Sequence, residues 1–263
     1  MNRNLKRLLP WLLPPLIVIV WEVATRAMGH AYFPSPSTIV VKMRELWFTG
    51  TASTLWLNDD ALEHIPSSLG RLLLGWVVAA VVGIALGLAL GRSPVLFRFV
   101  DPIIQFGRAL PPPALLPLFL ALFSTGPRMQ IITIAFGIVW PVLFNACDGA
   151  RYVDPLQLET AKVFAMSRAA RVRRIILPAA MPKIFAGLRL SLSLALILMV
   201  ISELIGSTDG IGYQLRDSQR AFDIPGVWAS IALLGILGFT LNWLFMLVER
   251  RALAWHRFSQ RTA

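Results

Sequence analysis

Charge is what this sequence has least of. Asp, Glu, Lys and Arg make up 15% of its 263 residues, while 56% are hydrophobic. Soluble domains carry roughly 25% charged residues. With a mean hydropathy of +0.66, the deficit points away from a soluble domain and towards a membrane protein. Cysteine is nearly missing. The single Cys147 excludes an internal disulfide and says little about compartment. Histidine is scarce, and His30, His64 and His256 lie too far apart for a metal-ligand spacing. None of the four lysines follows a glycine, and no G-x-x-x-x-G-K-[ST] run occurs. Nothing here cradles ATP phosphates in the way a phosphate-binding loop does.

What is present is apolar sequence in long runs. A spanning helix needs about 20 mostly apolar residues. Six runs qualify: 8–28, 72–90, 99–123, 129–147, 184–206 and 227–248. The first follows Arg3, Lys6 and Arg7 as a signal peptide would. Its run exceeds the usual ~7–15 residue core, and no small-x-small cleavage site follows, which favours an uncleaved span. Glu22 and Arg26 stand at a spacing that suits an ion pair on one helix face. The net charge of +11 could suggest nucleic acid. It sits instead in short clusters between apolar runs, the pattern of the positive-inside rule. Loops on the side of the termini hold 16 Lys and Arg, and those on the other side hold 7. Both termini are therefore expected in the cytoplasm, with no nucleic-acid partner.

Inside the runs, small residues recur every fourth position at Gly75, Ala79, Gly83, Gly87 and Gly91, a smooth ridge for close helix approach. Internal packing within one subunit is the favoured reading, ahead of a subunit interface. Span three is broken at "PPPALLP", where four prolines remove backbone donors; the freed carbonyls must be buried or line a cavity. Arg108 lies just before the break. It is a candidate charge beside a solute path; a structural pair with Asp101, or a headgroup contact, is the favoured alternative. Span five carries Ser191, Ser193, Ser202 and Glu203, and Gly187, Ser191 and Ala195 form a second small ridge. This span is the first choice for a pathway wall, with Ser191, Ser193 and Glu203 as candidates. Interhelical hydrogen bonding accounts for the serines almost as well. After span one, "FPSPSTIVVKMRELW" predicts a short outer helix, capped by Ser37, with Ile39, Val40, Met43 and Trp47 to one side.

Between spans four and five lies a basic island, "LETAKVFAMSRAARVRRIILPAA", at 158–180. Asp154 can cap a helix, Pro155 suits its first position and Gln157 can complete a capping box. Leu158, Ala161, Phe164 and Ala165 tend to one side of that helix. Ser167 can start a second one, and Pro178 and Pro182 punctuate the approach to span five. A solvated basic loop touching acidic lipid would explain the arginines but not the capped apolar start.

Here the sequence resembles the permease subunits of binding-protein-dependent ABC importers. Their pattern is E-A-A, three residues, G, nine residues, I-x-L-P. This chain has Glu159-Thr160-Ala161, then Ala165, then Ile175-Ile176-Leu177-Pro178 at the same spacing. Thr160 replaces an alanine and Ala165 the glycine. "FPSPS" at 33–37, "SLGRLLLGW" at 68–76, "DPIIQFGRALPPPALLPL" at 101–118, "GIGYQL" at 210–215 and "ERRALAW" at 249–255 resemble the nitrate, taurine and aliphatic-sulfonate branch.

The resemblance implies an all-α polytopic membrane protein of the type I (MetI-like) permease fold. It would be one transmembrane domain over 1–263, with a cytoplasmic coupling loop at 149–183. Glu159, Thr160, Ala161, Phe164, Ala165, Ile175, Leu177 and Pro178 would dock in a cleft on a cytoplasmic ATPase. A second permease copy, two ATPase subunits and an external solute-binding protein would complete the importer in the bacterial inner membrane. The chain would hold no cofactor, since ATP and magnesium belong to the ATPase. The solute would be a sulfonate, taurine, nitrate or a related small compound. A membrane-embedded enzyme is a rival, but no nucleophile–base pair or metal cluster supports it. An ion-coupled carrier is another, but it would want ionisable residues deep in several spans and an inverted repeat.

Overall fold

The computed structural model describes residues 3–29 and 31–255, with side chains from residue 12 onward. His30, His256, Arg257 and Arg261 lie outside the described residues, as do the side chains of Arg3, Lys6 and Arg7. Every regular element among the described residues is helical. The long elements are α1 (Arg3–Met28), α3 (Asp59–Arg92), α6 (Pro127–Arg151), α9 (Leu177–Gly206) and α11 (Ile224–Ala252). Shorter ones are α2 (Pro36–Trp47), α4 (Pro94–Ala109), α5 (Leu116–Phe123), α7 (Pro155–Val163), α8 (Arg168–Arg171) and α10 (Ile211–Arg220). Among the described residues, four helices are long and apolar enough to cross a membrane, in segments ending at Arg92, Arg151, Gly206 and Ala252. The expected third span is a bent pair, Pro94–Ala109 and Pro112–Phe123, turned by 83°. The bend falls where the proline run removes successive donors. The expected first span falls within α1.

The chain divides into two compact units, Met1–Ser67 with Asp209–Ile236, and Ser68–Thr208 with Leu237–Ala263. In the first, Glu22 accepts from Arg26 Nε at 2.6 Å, as its spacing predicts, and also from Ser37 Oγ at 2.7 Å. Ser37 is thereby taken from the capping role expected of it. Ser35 caps α2 instead, because Pro36 occupies the first helical position. Trp47 is fully buried, and its Nε1 donates to Gln214 Oε1 at 2.7 Å. Lys42 pairs with Asp223 at 3.0 Å.

In the second unit the glycine ridge of α3 lies on α6, as internal packing requires. A Cβ at Gly75 would come within 2.8 Å of Ile134, and one at Gly83 within 2.9 Å of Val142. At Gly87 it would meet the Leu143 carbonyl oxygen at 2.5 Å, and at Gly91 that of Cys147 at 2.4 Å. The other face of α6 takes α9, whose Gly187 abuts Asn145. Backbones this close gain dispersion contacts that lipid tails could not supply.

Candidate functional site

The basic island folds as a capped helix, a tight turn and a second helix. Asp154 caps α7 by accepting from Leu156 N at 2.9 Å, with Pro155 at the first position. The helix ends in a Schellman turn. Ala165 N donates to Lys162 O at 2.9 Å, and Met166 N to Ala161 O at 3.0 Å. That turn needs a left-handed residue, and Ala165 supplies it at φ 50°. The alanine that departs from the family pattern thus holds the conformation the pattern's glycine favours. Ser167 then caps the next helix through Ala170 N at 3.2 Å. From Arg168 to Gly206 the chain is one continuous 39-residue helix. Pro178 and Pro182 do not interrupt it. A π-turn at Val172–Ile176 lies immediately before Pro178, whose ring nitrogen cannot donate.

Of the expected docking residues, Glu159, Thr160, Phe164 and Ala165 are exposed, while Ile175, Leu177 and Pro178 are half-buried. Ala161 is 1% exposed and packs inside its own chain. The exposed apolar surface comes from Leu156 (69%), Val163 (83%) and Phe164 (74%). Beside it lies a hollow of about 780 Å³, bordered by Tyr152, Leu156, Thr160, Arg174, Pro178 and Trp255.

The candidate pathway residues separate. Glu203 is fully enclosed: Ser68 Oγ donates to it at 2.8 Å and Arg71 at 2.9 Å. This buried pair ties α3 to α9. Ser191 is also enclosed, accepting from Trp76 Nε1 at 2.9 Å and donating to Leu188 O at 2.8 Å. Ser193 is exposed, on a hollow of about 590 Å³ that it shares with Arg189 and Asn242. Arg108 is exposed on α4, its guanidinium 5.2 Å from the Phe144 ring centre. Asp101 is bonded by Gln105 instead, at 3.1 Å.

Two functional candidates escaped the sequence reading. Arg71 falls just outside the apolar run at 72–90, but α3 begins well before it, and its partner is 132 positions away, beyond any local spacing rule. Arg189 interrupts an apolar run and was legible as such; its Nε donates to Asn242 Oδ1 at 3.3 Å. Among the described residues, no group of three or more His, Cys, Asp or Glu could hold a metal ion.

The chain belongs to the binding-protein-dependent transport system inner membrane component family, whose profile matches residues 79–253. It is 32% identical to the putative aliphatic sulfonates transport permease protein SsuC of Bacillus subtilis (strain 168), covering 93% of this chain and 86% of that protein. It is 32% identical to the taurine transport system permease protein TauC of Escherichia coli (strain K12), covering 92% and 86%. With the nitrate import permease protein NrtB of Synechococcus elongatus it shares 30% identity, over 95% and 91%. Among solved structures, an inward-facing MetNI methionine ABC transporter superposes with a TM-score of 0.63 at 17% identity, over 71% of this chain and 93% of that one. That likeness establishes the fold, which is the all-α type I permease fold. The protein is a multi-pass inner-membrane subunit of an ABC importer and not an enzyme; ATP hydrolysis belongs to a separate ATPase subunit.

Proposed function

We propose that this chain moves a small oxyanionic solute, an aliphatic sulfonate, taurine or nitrate, across the inner membrane as one of two identical copies. A solute-binding protein delivers from outside, and two ATPases dock on the 149–183 loop from the cytoplasm, where both termini also lie. ATP and magnesium are held by those ATPases, and this chain needs no cofactor. The observation that carries the reading is α7. It is a helix capped at both ends that holds Leu156, Val163 and Phe164 out to solvent, in a chain without a phosphate-binding loop. Exposed apolar side chains on a rigid element are what a partner's groove takes up. Alternating access would follow from rigid-body movement driven through this element. The branch of its relatives supports the solute class, and the exposed Arg108 and Ser193 are the candidates that remain available to a path.

Reconstitution tests it. In liposomes with the cognate ATPase and binding protein, labelled sulfonate, taurine or nitrate should enter only when ATP is supplied to the ATPase. Uptake by this chain alone on an ion gradient would establish the carrier rival.

A further inference from the structure

Beside α7, away from its exposed apolar edge, two hollows share one wall. The first, about 340 Å³, is basic. Arg92 from the end of α3, Lys162 from α7, and Arg168 and Arg171 from α8 converge on it, above Val172 and Ile176. No acidic residue lines it. The second, about 360 Å³, is almost wholly apolar: Ala85, Leu88 and Ala89 of α3 face Val172 and Ile176, and Arg92 stands at the junction of the two.

The cations are incompletely paired. Arg92 spends one donor on the Ala150 carbonyl oxygen, at 3.1 Å. Arg171 Nε is buried with no hydrogen-bond partner. A buried guanidinium donor left unmade is costly, and four cations around one hollow repel. An anion bound among them would relieve both. The apolar continuation selects among anions. A free phosphate or sulfate would fill the basic hollow and leave the groove along α3 empty. Position agrees: the basic residues end α3 or precede the apolar part of α9, which is headgroup depth, and the groove runs from them along the spanning part of α3.

We propose that this paired hollow is a binding site for an anionic phospholipid. Its phosphate lies among Arg92, Lys162, Arg168 and Arg171, and an acyl chain lies along Ala85, Leu88 and Ala89. The lipid cross-links α3, α7 and α8 through one phosphate. It therefore fixes the position of the loop that carries the docking edge, and that position depends on membrane charge.

The test is native mass spectrometry of the full-length chain, released from micelles containing both phosphatidylglycerol and phosphatidylcholine. Wild type should retain phosphatidylglycerol in preference to phosphatidylcholine. Arg168→Gln with Arg171→Gln should lower that retention roughly tenfold or more, at about 1 kcal/mol per cation. Ala85→Trp, at an exposed position on a spanning helix where folding tolerates it, should fill the apolar groove and also displace the lipid. Added inorganic phosphate should compete poorly. Equal retention of both lipids, or unchanged retention in the double variant, would overturn the proposal. If Ala85→Trp leaves retention intact while inorganic phosphate displaces the lipid, the site takes a soluble oxyanion and the lipid assignment is wrong.

Discussion

Ala165 carries a conformational cost that its sequence neighbours do not. At φ 50° its Cβ crowds the following carbonyl, a penalty of roughly 1–2 kcal/mol for a non-glycine residue. Two backbone hydrogen bonds of the Schellman turn hold it there. Ala165→Gly should therefore stabilise the loop by about 0.5–1 kcal/mol, the relief being partly offset by glycine's freedom when unfolded. Slower amide exchange at Ala161–Met166 would report it, and faster exchange would contradict the turn. Glu203 raises the opposite case. Its carboxylate is enclosed with Arg71 and Ser68, so Glu203→Gln removes the counter-charge of a buried guanidinium at a cost of about 3–5 kcal/mol. Arg71→Leu combined with Glu203→Leu should be milder than either single change, because both charges leave together. Thermal unfolding of the detergent-purified variants separates the two roles. If Glu203→Gln keeps wild-type stability and loses only uptake, the acid belongs to the path after all.

At the scale of elements, α7 presents one inward and one outward edge, and they predict different failures. Ala161 is buried, so Ala161→Arg overpacks the loop itself, costing typically 1–3 kcal/mol, and should lower the stability of the isolated chain. Val163→Asp and Phe164→Asp replace exposed apolar side chains. They should leave that stability unchanged and abolish co-purification of the ATPase. Normal ATPase binding in both would refute the docking edge. What the sequence disclosed here was local chemistry. Asp154, Pro155 and Ser167 act at their caps because a cap needs only its own neighbours. The glycine spacing of α3 was equally plain, though not the identity of the α6 residues it meets. Ala161's inward direction, the Arg71–Glu203 pair and the convergence of Arg92 with Arg168 and Arg171 were hidden, because each depends on residues brought together from distant segments. Ser35 displaces Ser37 as the cap for a local reason: Pro36 fixes the first turn. The same packing logic gives a further expectation. Gly87→Val would drive a Cβ towards the Leu143 carbonyl oxygen, only 2.5 Å away. It should destabilise the α3–α6 contact by about 1–3 kcal/mol, read as a lowered unfolding midpoint.

For the whole molecule, the orientation of α6 decides which compartment receives the loop that carries α7. Arg151 ends α6 and Lys162, Arg168, Arg171, Arg173, Arg174 and Lys183 follow it, while Arg128 stands near its start. Arginine and lysine near span ends hold their segment on the cytoplasmic side. Burial of Arg71 in an ion pair removes one charge from the opposite side's count and sharpens the asymmetry. Residues 152–167 should therefore be cytoplasmic and 124–126 external. Single cysteines test this directly, because native Cys147 is 1% exposed and Cys147→Ser leaves a silent background. Thr125 and Ser167 are both exposed, so a cysteine at either is open to reagent. In sealed cells an impermeant maleimide should label Thr125→Cys and spare Ser167→Cys; after permeabilisation it should label both. Labelling of Ser167→Cys in intact cells would place α7 outside. No cytoplasmic ATPase could then reach Val163 and Phe164, and the exposed edge of α7 would have to serve an external partner.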